Sequence, residues 1–312
     1  MKNKIDVSII IPAYNAAATI GCLVNKILSE THVAIELIVV DDGSTDSTGN
    51  VLRRIQDDRL ILIEQTNQGV YAARNVALAI HRGEWVVFLD ADDDIHNEFI
   101  EKRWQAASAS QADVMIFNGW HSGADNHRRA VHTKQPYEAT LSGHEWIRHC
   151  VTRGEWPHYL WLQMVRSSYI RQHSLCFQPG RSHKDILWTV HLAANNGRFS
   201  VLDVKDYIYI SNKTSITHRP DYYDVRAISY VEVIAEITQL AEQEQNKKIK
   251  LFLHRHALVE ARHFLGLYRK KVIDNSNVKT SFNKNISFIS LFQGISSLSD
   301  IFFFIKLMRK IL

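Results

Sequence analysis

Short apolar runs alternate with stretches of helical periodicity through the first 90 residues. Val7-Ser8-Ile9-Ile10-Ile11 closes at Pro12, and residues 35–40 close at Asp41-Asp42-Gly43-Ser44. Residues 60–63 form a third run, and residues 85–89 end at Asp90. Runs that are apolar at successive positions, rather than alternately, predict strands covered on both faces. Residues 17–28, 47–56 and 70–80 between them read as helices. This order predicts an α/β fold on a mostly parallel, doubly wound sheet. Polar residues gather where the first, second and fourth runs end, and open α/β sheets bind ligands at the carboxyl ends of their strands.

Beyond Asp94 the rhythm loosens. Residues 99–109 read as a helix, 114–118 as a strand, 119–136 as a polar hairpin or loop, and 144–220 as a segment rich in Trp, His and Arg. Helices are predicted over 230–245 and 249–272, with a last apolar segment at 286–312. The chain divides accordingly into residues 1–95, 96–220 and a helical 221–312. Gln293, Asp300 and Lys306 interrupt the apolar run from Ile286 to Leu307, which argues against a membrane-spanning helix. The N-terminus lacks the long apolar core of a signal peptide.

Composition adds little until it is split along the chain. With 46% hydrophobic and 22% charged residues, the 312-residue chain is ordinary for a globular protein. Cys22, Cys150 and Cys176 have neither metal-site nor disulfide-framework spacing, which suits a reducing cytoplasm. A formal charge of +4 is too mild for a nucleic-acid partner. Residues 246–312 nevertheless hold 13 Lys/Arg against three acidic residues, a charge of +10 that leaves −6 for the remainder. Within them Phe288, Phe292, Ile295, Leu298, Phe302, Ile305, Met308 and Leu312 recur every three or four positions. A basic amphipathic helix of this kind predicts contact with an anionic membrane surface. The alternative is docking on the rest of the chain or on a second copy, as a homo-oligomer.

The densest chemistry is Phe88-Leu89-Asp90-Ala91-Asp92-Asp93-Asp94. Carboxylates crowded after a buried strand repel one another in a low-dielectric crevice, so a cation is expected. Hard oxygen ligands favour Mg²⁺ or Mn²⁺, with phosphates completing the shell. The competing reading is an acidic helix start, with Asp94 capping a helix near Asn97. Pro12-Ala13-Tyr14-Asn15 sets an aromatic ring beside exposed backbone, suited to a nucleobase. Asp41 and Asp42 offer acceptors to a base or ribose, and Gly43 permits close backbone approach. In Asn67-Gln68-Gly69-Val70-Tyr71-Ala72-Ala73-Arg74-Asn75, Gly69 precedes a helix from which Arg74 pairs with Asp41 or Asp42 or reaches a phosphate.

PAYN, VVDDGSTDST, NQGVYAARN and FLDADD, in this order and spacing, resemble the family 2 glycosyltransferases of GT-A fold over residues 5–220. The resemblance implies a GT-A domain with a helical C-terminal extension. It also implies inverting transfer from a UDP-sugar, with Mn²⁺ or Mg²⁺ on the diphosphate. Its donor site falls on Pro12, Ala13, Tyr14, Asn15, Asp42, Gly43, Asn67, Gly69, Arg74, Asp90, Ala91 and Asp92. In it Tyr14 and Asp42 hold uracil, Asp90 the ribose side, and Asp92, with Asp90 beside it, the metal. The family's catalytic base lies in an acidic doublet that here reads Lys184-Asp185, so Asp185 takes the acceptor proton and a Lys stands in place of the usual Glu. A helix cap near Ile186 is the plainer role for Asp185. A second departure is Ile210, where many relatives carry an Arg that grips the diphosphate. Lys213, His218 or Arg219 is left to substitute, with His218 as a further metal ligand.

A narrower likeness runs through Trp156–Trp161, His183–Thr189 and Tyr209–Ser215 to the lipopolysaccharide-core glycosyltransferases of Gram-negative bacteria. The nearest are those that add glucuronate to a heptose. It implies an acceptor side of Trp156, His158, Trp161 and His183, a lipid-linked or lipopolysaccharide glycan acceptor, and work at the cytoplasmic face of the inner membrane. Plain core packing competes for each Trp. A glucuronate donor calls for a cation, and Lys184, Arg166 and Arg181 are on offer. A sugar-1-phosphate nucleotidyltransferase needs a Gly-rich basic loop after the first strand, which PAYN does not supply. No GxGxxG supports a dinucleotide oxidoreductase. A non-catalytic nucleotide-sugar or glycan-binding module remains, and it predicts that Asp185 is dispensable.

Overall fold

The computed structural model describes residues 4–29, 32–122, 127–210 and 222–312. The four apolar runs are β1 (Val7–Ala13), β2 (Ile35–Asp41), β3 (Leu60–Glu64) and β4 (Trp85–Phe88). They pair in parallel in the order β3-β2-β1-β4. α1 (Ile20–Leu28), α2 (Thr48–Arg53) and α3 (Val70–Ile80) connect them. Ile9, Ile11, Val39 and Val87 enter one core, on the side of α1 and α4 (Phe99–Ser108). Ile10, Ile38, Val40 and Phe88 enter the other, on the side of α3 and the later helices. Strand side chains alternate in direction, so burial on both faces is what makes these runs apolar at every position.

The sheet continues past residue 95. β9 (Gln163–Arg166) lies antiparallel between β4 and β6 (Val114–Ser122), and β10 (Arg198–Ile210) pairs in parallel with β6. β5 (Asp94–Ile95) closes that edge against β10, and β8 (Ala139–Ser142) also pairs with β10. The expected hairpin is β6 with β7 (Arg128–Ala130), β6 reaching Ser122 rather than stopping near 118. α5 (Gly143–Arg153), α6 (Ser167–Gln172) and α7 (Lys184–Ala194) cover the face that holds α3.

Two helices, α8 (Tyr222–Gln243) and α9 (Lys247–Lys270), pack on one another and onto α7 and α5. α8 begins at Tyr222 rather than near 230. The last apolar segment follows α10 (Asn275–Asn285) and is two helices, not one: α11 (Phe288–Gln293) and α12 (Leu298–Ile311). They part at Gly294, where any side chain would come within 2.3 Å of the His254 carbonyl. α12 buries Phe303, Phe304, Leu307 and Ile311, and exposes Leu298, Ile301, Phe302 and Ile305. Within α12 the expected stripe is thus the open face, and the docked face is a second one made of Phe303, Phe304, Leu307 and Ile311. No helix among the described residues is long and apolar enough to cross a membrane.

Candidate active site

The strand ends are tied together by their own polar groups. Asn15, with φ of +52°, accepts at Oδ1 from the backbone N–H of Thr45 (2.8 Å), and its own N–H donates to Ser44 Oγ (2.9 Å). This clamp leaves the Tyr14 ring 45% exposed at the end of β1. Pro12 and Ala13 are buried inside the strand, and the Ala13 carbonyl accepts from Asp42 N–H, so only Tyr14 and Asn15 of PAYN stand clear of it. Gly43 has φ of +74°, and a Cβ there would lie 2.7 Å from the Asn67 nitrogen. That close approach lets buried Asp42 fasten the next loop. Its Oδ1 accepts from Gln65 Nε2 (2.7 Å) and Gln68 N–H (2.8 Å), and its Oδ2 from Gly69 N–H (2.8 Å). A carboxylate has about four lone-pair positions, so three bonds leave Asp42 about one, enough for a single N–H of a base. The Asn67 side chain is exposed on the same loop.

The acidic cluster after β4 is mostly matched by protein partners. Arg74 Nη2 pairs with Asp90 Oδ1 (2.8 Å), not with Asp41 or Asp42. It lies one turn beyond Tyr71 on the buried face of α3, over the rings of Tyr71 and Phe177, which aims it at the end of β4. Asp93 is buried and accepts from the Tyr207 hydroxyl (2.7 Å). Asp94 belongs to β5 and pairs with Lys26 (2.8 Å), while α4 starts at Phe99 behind Glu98, so Asp94 caps no helix. Asp92, just past buried Ala91, has no cationic partner among the described residues. Although Asp92 is exposed, partial loss of hydration at its carboxyl and the neighbouring Asp90 charge raise its pKa from the ordinary aspartate value. A divalent cation fits such a group. No cluster of three or more His, Cys, Asp or Glu able to hold a metal occurs among the described residues, so an ion here draws its remaining ligands from elsewhere. His218, Lys213 and Arg219 lie outside the described residues.

Asp185 enters from the opposite direction. His183 takes the left-handed conformation (φ +58°) and turns the chain into α7, which begins at Lys184. Asp185 therefore sits within the first turn rather than at the cap, where the helix N-terminus favours its charge. The Tyr71 hydroxyl accepts from Lys184 N–H (3.0 Å) and lies 3.4 Å from Asp185 Oδ1, toward which it donates. One turn of α3 thus carries Tyr71 to Asp185 and Arg74 to Asp90. His158 Nε2 is 3.8 Å from Asp185 Oδ2, and His158 Nδ1 lies 3.0 Å from the Trp156 carbonyl, which assigns the proton to Nδ1. Burial lowers the His183 pKa to about 4, so that ring is neutral near pH 7.

The expected aromatic acceptor wall is rearranged. Trp161 is buried and stacked on Tyr207, with centroids 4.1 Å apart and planes at 7°. Trp156 packs against Trp146 and His256. Trp161 carries stacked rings, Tyr207 and Tyr159, and offers no face to a sugar, whereas Trp156 is half-buried. Tyr159 is 37% exposed, stacked on Trp161 and packed beside His158. Its signal was its place between two inward-facing Trp residues. Of the cations suited to a donor carboxylate, Lys184 is buried against Glu232 of α8 (2.7 Å). Arg166 pairs with Glu84 (2.8 Å) at the far end of β4, and Arg181 is exposed.

The family model described as glycosyl transferase family 2 matches residues 8–163, half of the chain. The chain belongs to glycosyl transferase family 2. Among curated relatives, this glycosyltransferase is 26% identical over 257 residues to the uncharacterized glycosyltransferase YibD of Escherichia coli K12, covering 78% of this chain and 72% of that one. It is 47% identical over 88 residues to WfaP of E. coli, named as a UDP-Glc:α-D-GlcNAc-diphosphoundecaprenol β-1,3-glucosyltransferase, covering 28% of this chain and 35% of that one. Among solved structures, Staphylococcus aureus TarS 1–349 in complex with UDP superposes with a TM-score of 0.72 at 21% identity, covering 98% of this chain and 88% of that one. The same TarS fragment has also been solved with UDP-GlcNAc. The fold of this family 2 member is GT-A-type, a mostly parallel central sheet with a helical C-terminal region.

Proposed function

We propose that this glycosyltransferase moves a sugar, with inversion, from a UDP-sugar to a lipid-linked glycan acceptor of a bacterial surface polysaccharide. The observation that carries the reading is α3, which holds Asp185 through Tyr71 and Asp90 through Arg74 one turn apart. A proton acceptor and an unmatched carboxylate, Asp92, thereby face one set of strand ends. UDP lies with its base toward Tyr14 and its ribose toward Asp90. Asp185 takes the proton from the acceptor hydroxyl as that oxygen attacks C1 of the donor sugar and UDP leaves on the opposite face. Asp92, with Asp90 beside it, would hold Mn²⁺ or Mg²⁺, which would supply positive charge for a departing diphosphate. His158 and the exposed part of Tyr159 bound the acceptor side. Lys184 and Arg166 already face carboxylates of the protein, so neither is free for a donor glucuronate. Lipid linkage of the acceptor is supported by the name of WfaP and by the open apolar face of α12.

A panel of UDP-sugars against purified glycan acceptors, read as UDP release, tests this. Wild type is expected to release UDP with one donor–acceptor pair. Asp185→Asn should fall by about 10²–10⁴-fold while keeping its affinity for UDP. Normal turnover by Asp185→Asn would leave a different group as the base.

A further inference from the structure

Arg226 stands one turn into α8 with no carboxylate partner among the described residues. Its guanidinium lies over the rings of Tyr222 and Tyr230, 5.9 and 5.7 Å from their centroids. Nη2 reaches the Tyr230 hydroxyl at 3.5 Å, and Nε is buried without an acceptor. Among the described residues, the acids nearest on α8 and α9 are committed elsewhere. Glu260, buried on α9, holds His256 Nε2 (3.1 Å) and His263 Nδ1 (3.0 Å), and Glu232 holds Lys184. The His183 ring packs on Tyr230 with centroids 5.0 Å apart, and Arg226 acts electrostatically on His183 and Tyr159. His183, Tyr230 and Tyr159 in turn lie within reach of the Asp185 charge. A half-buried guanidinium left without an anion is unfavourable, and its planar fork, beside tyrosine hydroxyls, matches phosphate oxygens.

We propose that Arg226, with Tyr222 and Tyr230, binds a phosphate carried by the acceptor, next to the hydroxyl presented to Asp185. This rests on Asp185 marking the acceptor side, but it is testable without turnover. The full chain is saturated with UDP and Mn²⁺, so that the donor diphosphate site is filled. Farnesyl diphosphate and glycerol 3-phosphate are then titrated by calorimetry, with farnesol as the neutral control. Wild type is expected to bind a phosphate probe and not farnesol. Arg226→Gln should weaken that binding about tenfold or more, and Arg226→Lys only a few-fold, as expected when a charge-assisted contact is lost or retained. UDP affinity should stay unchanged in both. Binding of farnesyl diphosphate alone identifies a lipid diphosphate, and binding of glycerol 3-phosphate alone a polyol phosphate. The proposal is overturned if neither probe binds wild type, if Arg226→Gln binds equally well, or if Arg226→Gln loses UDP. Asp185→Asn should bind the probe like wild type, so an error in the base assignment appears only in turnover.

Discussion

Asp92 has no equivalent of the Arg74 that holds Asp90, the Tyr207 that holds Asp93 or the Lys26 that holds Asp94. Two adjacent carboxylates with one cation between them leave a residual negative charge, and charge stabilisation by a bound ion is strongest in such a site. Asp92→Ala is therefore expected to lower turnover by about 10²–10³-fold and to weaken UDP binding in the presence of Mn²⁺ or Mg²⁺. EDTA should abolish wild-type activity, and either ion should restore it. Wild-type turnover by Asp92→Ala, or activity indifferent to EDTA, would remove the metal from the mechanism. The residue types in this cluster were legible in the sequence, but their division of labour was not. Asp90, Asp93 and Asp94 are matched by Arg74, Tyr207 and Lys26, which come from three separate elements, and only the folded chain brings them there. The same holds for Tyr71, a hydroxyl inside NQGVYAARN whose positioning role depends on α7 arriving 114 residues later.

α7 and α8 are joined at a point where the family pattern is broken. Lys184, standing where the resemblance places a Glu, is buried and paired with half-exposed Glu232. Lys184→Glu would recreate the familiar doublet and set two carboxylates against each other. It is expected to cost roughly 1–3 kcal/mol, less than a fully buried pair because Glu232 is partly hydrated. Adding Glu232→Lys should recover most of that loss in denaturant melts. No recovery by the double variant would mean that Lys184 acts through packing alone. At this scale the sequence was most readable where burial is two-sided or the helical period is uninterrupted. β1, β2 and β4 ended within two residues of expectation, and α3 spans 70–80 as read. Reading failed where a distant contact decides. Nothing local to Gly294 shows the His254 carbonyl that leaves no room for a side chain where α11 ends. Trp161 has the chemistry of a sugar-stacking residue, but Tyr207 and Tyr159 stack on it.

Across the whole molecule, charge and apolar exposure point the same way. The excess positive charge lies in residues 246–312, and α12 adds Lys306, Arg309 and Lys310 beside Leu298, Ile301, Phe302, Ile305 and Leu312. Phe302 is 72% and Leu298 75% exposed, an arrangement that costs hydration in water and gains it back at a lipid interface. α9 links this face to the acceptor side. Its Arg262 pairs with Asp300 of α12 (2.6 Å), and the adjacent His263 reaches Glu260 beneath Tyr230 and Arg226. A protein resting on lipid through α12 would thus hold its acceptor side on the same helical scaffold. Removing residues 286–312 is a poor test, because it strips Phe303, Phe304, Leu307 and Ile311 from the core. The pair Leu298→Ser and Phe302→Ser changes the open face alone. It is expected to weaken binding to anionic liposomes by roughly 10- to 100-fold, the range set by withdrawing one or two partly inserted side chains. Lys306→Glu with Lys310→Glu should weaken it by about 1 kcal/mol per charge and reduce its salt dependence. Turnover on a water-soluble acceptor should be unchanged in both variants. If the Ser pair binds liposomes like wild type, the open face serves a protein partner instead, and its oligomeric state in solution becomes the measurement that decides.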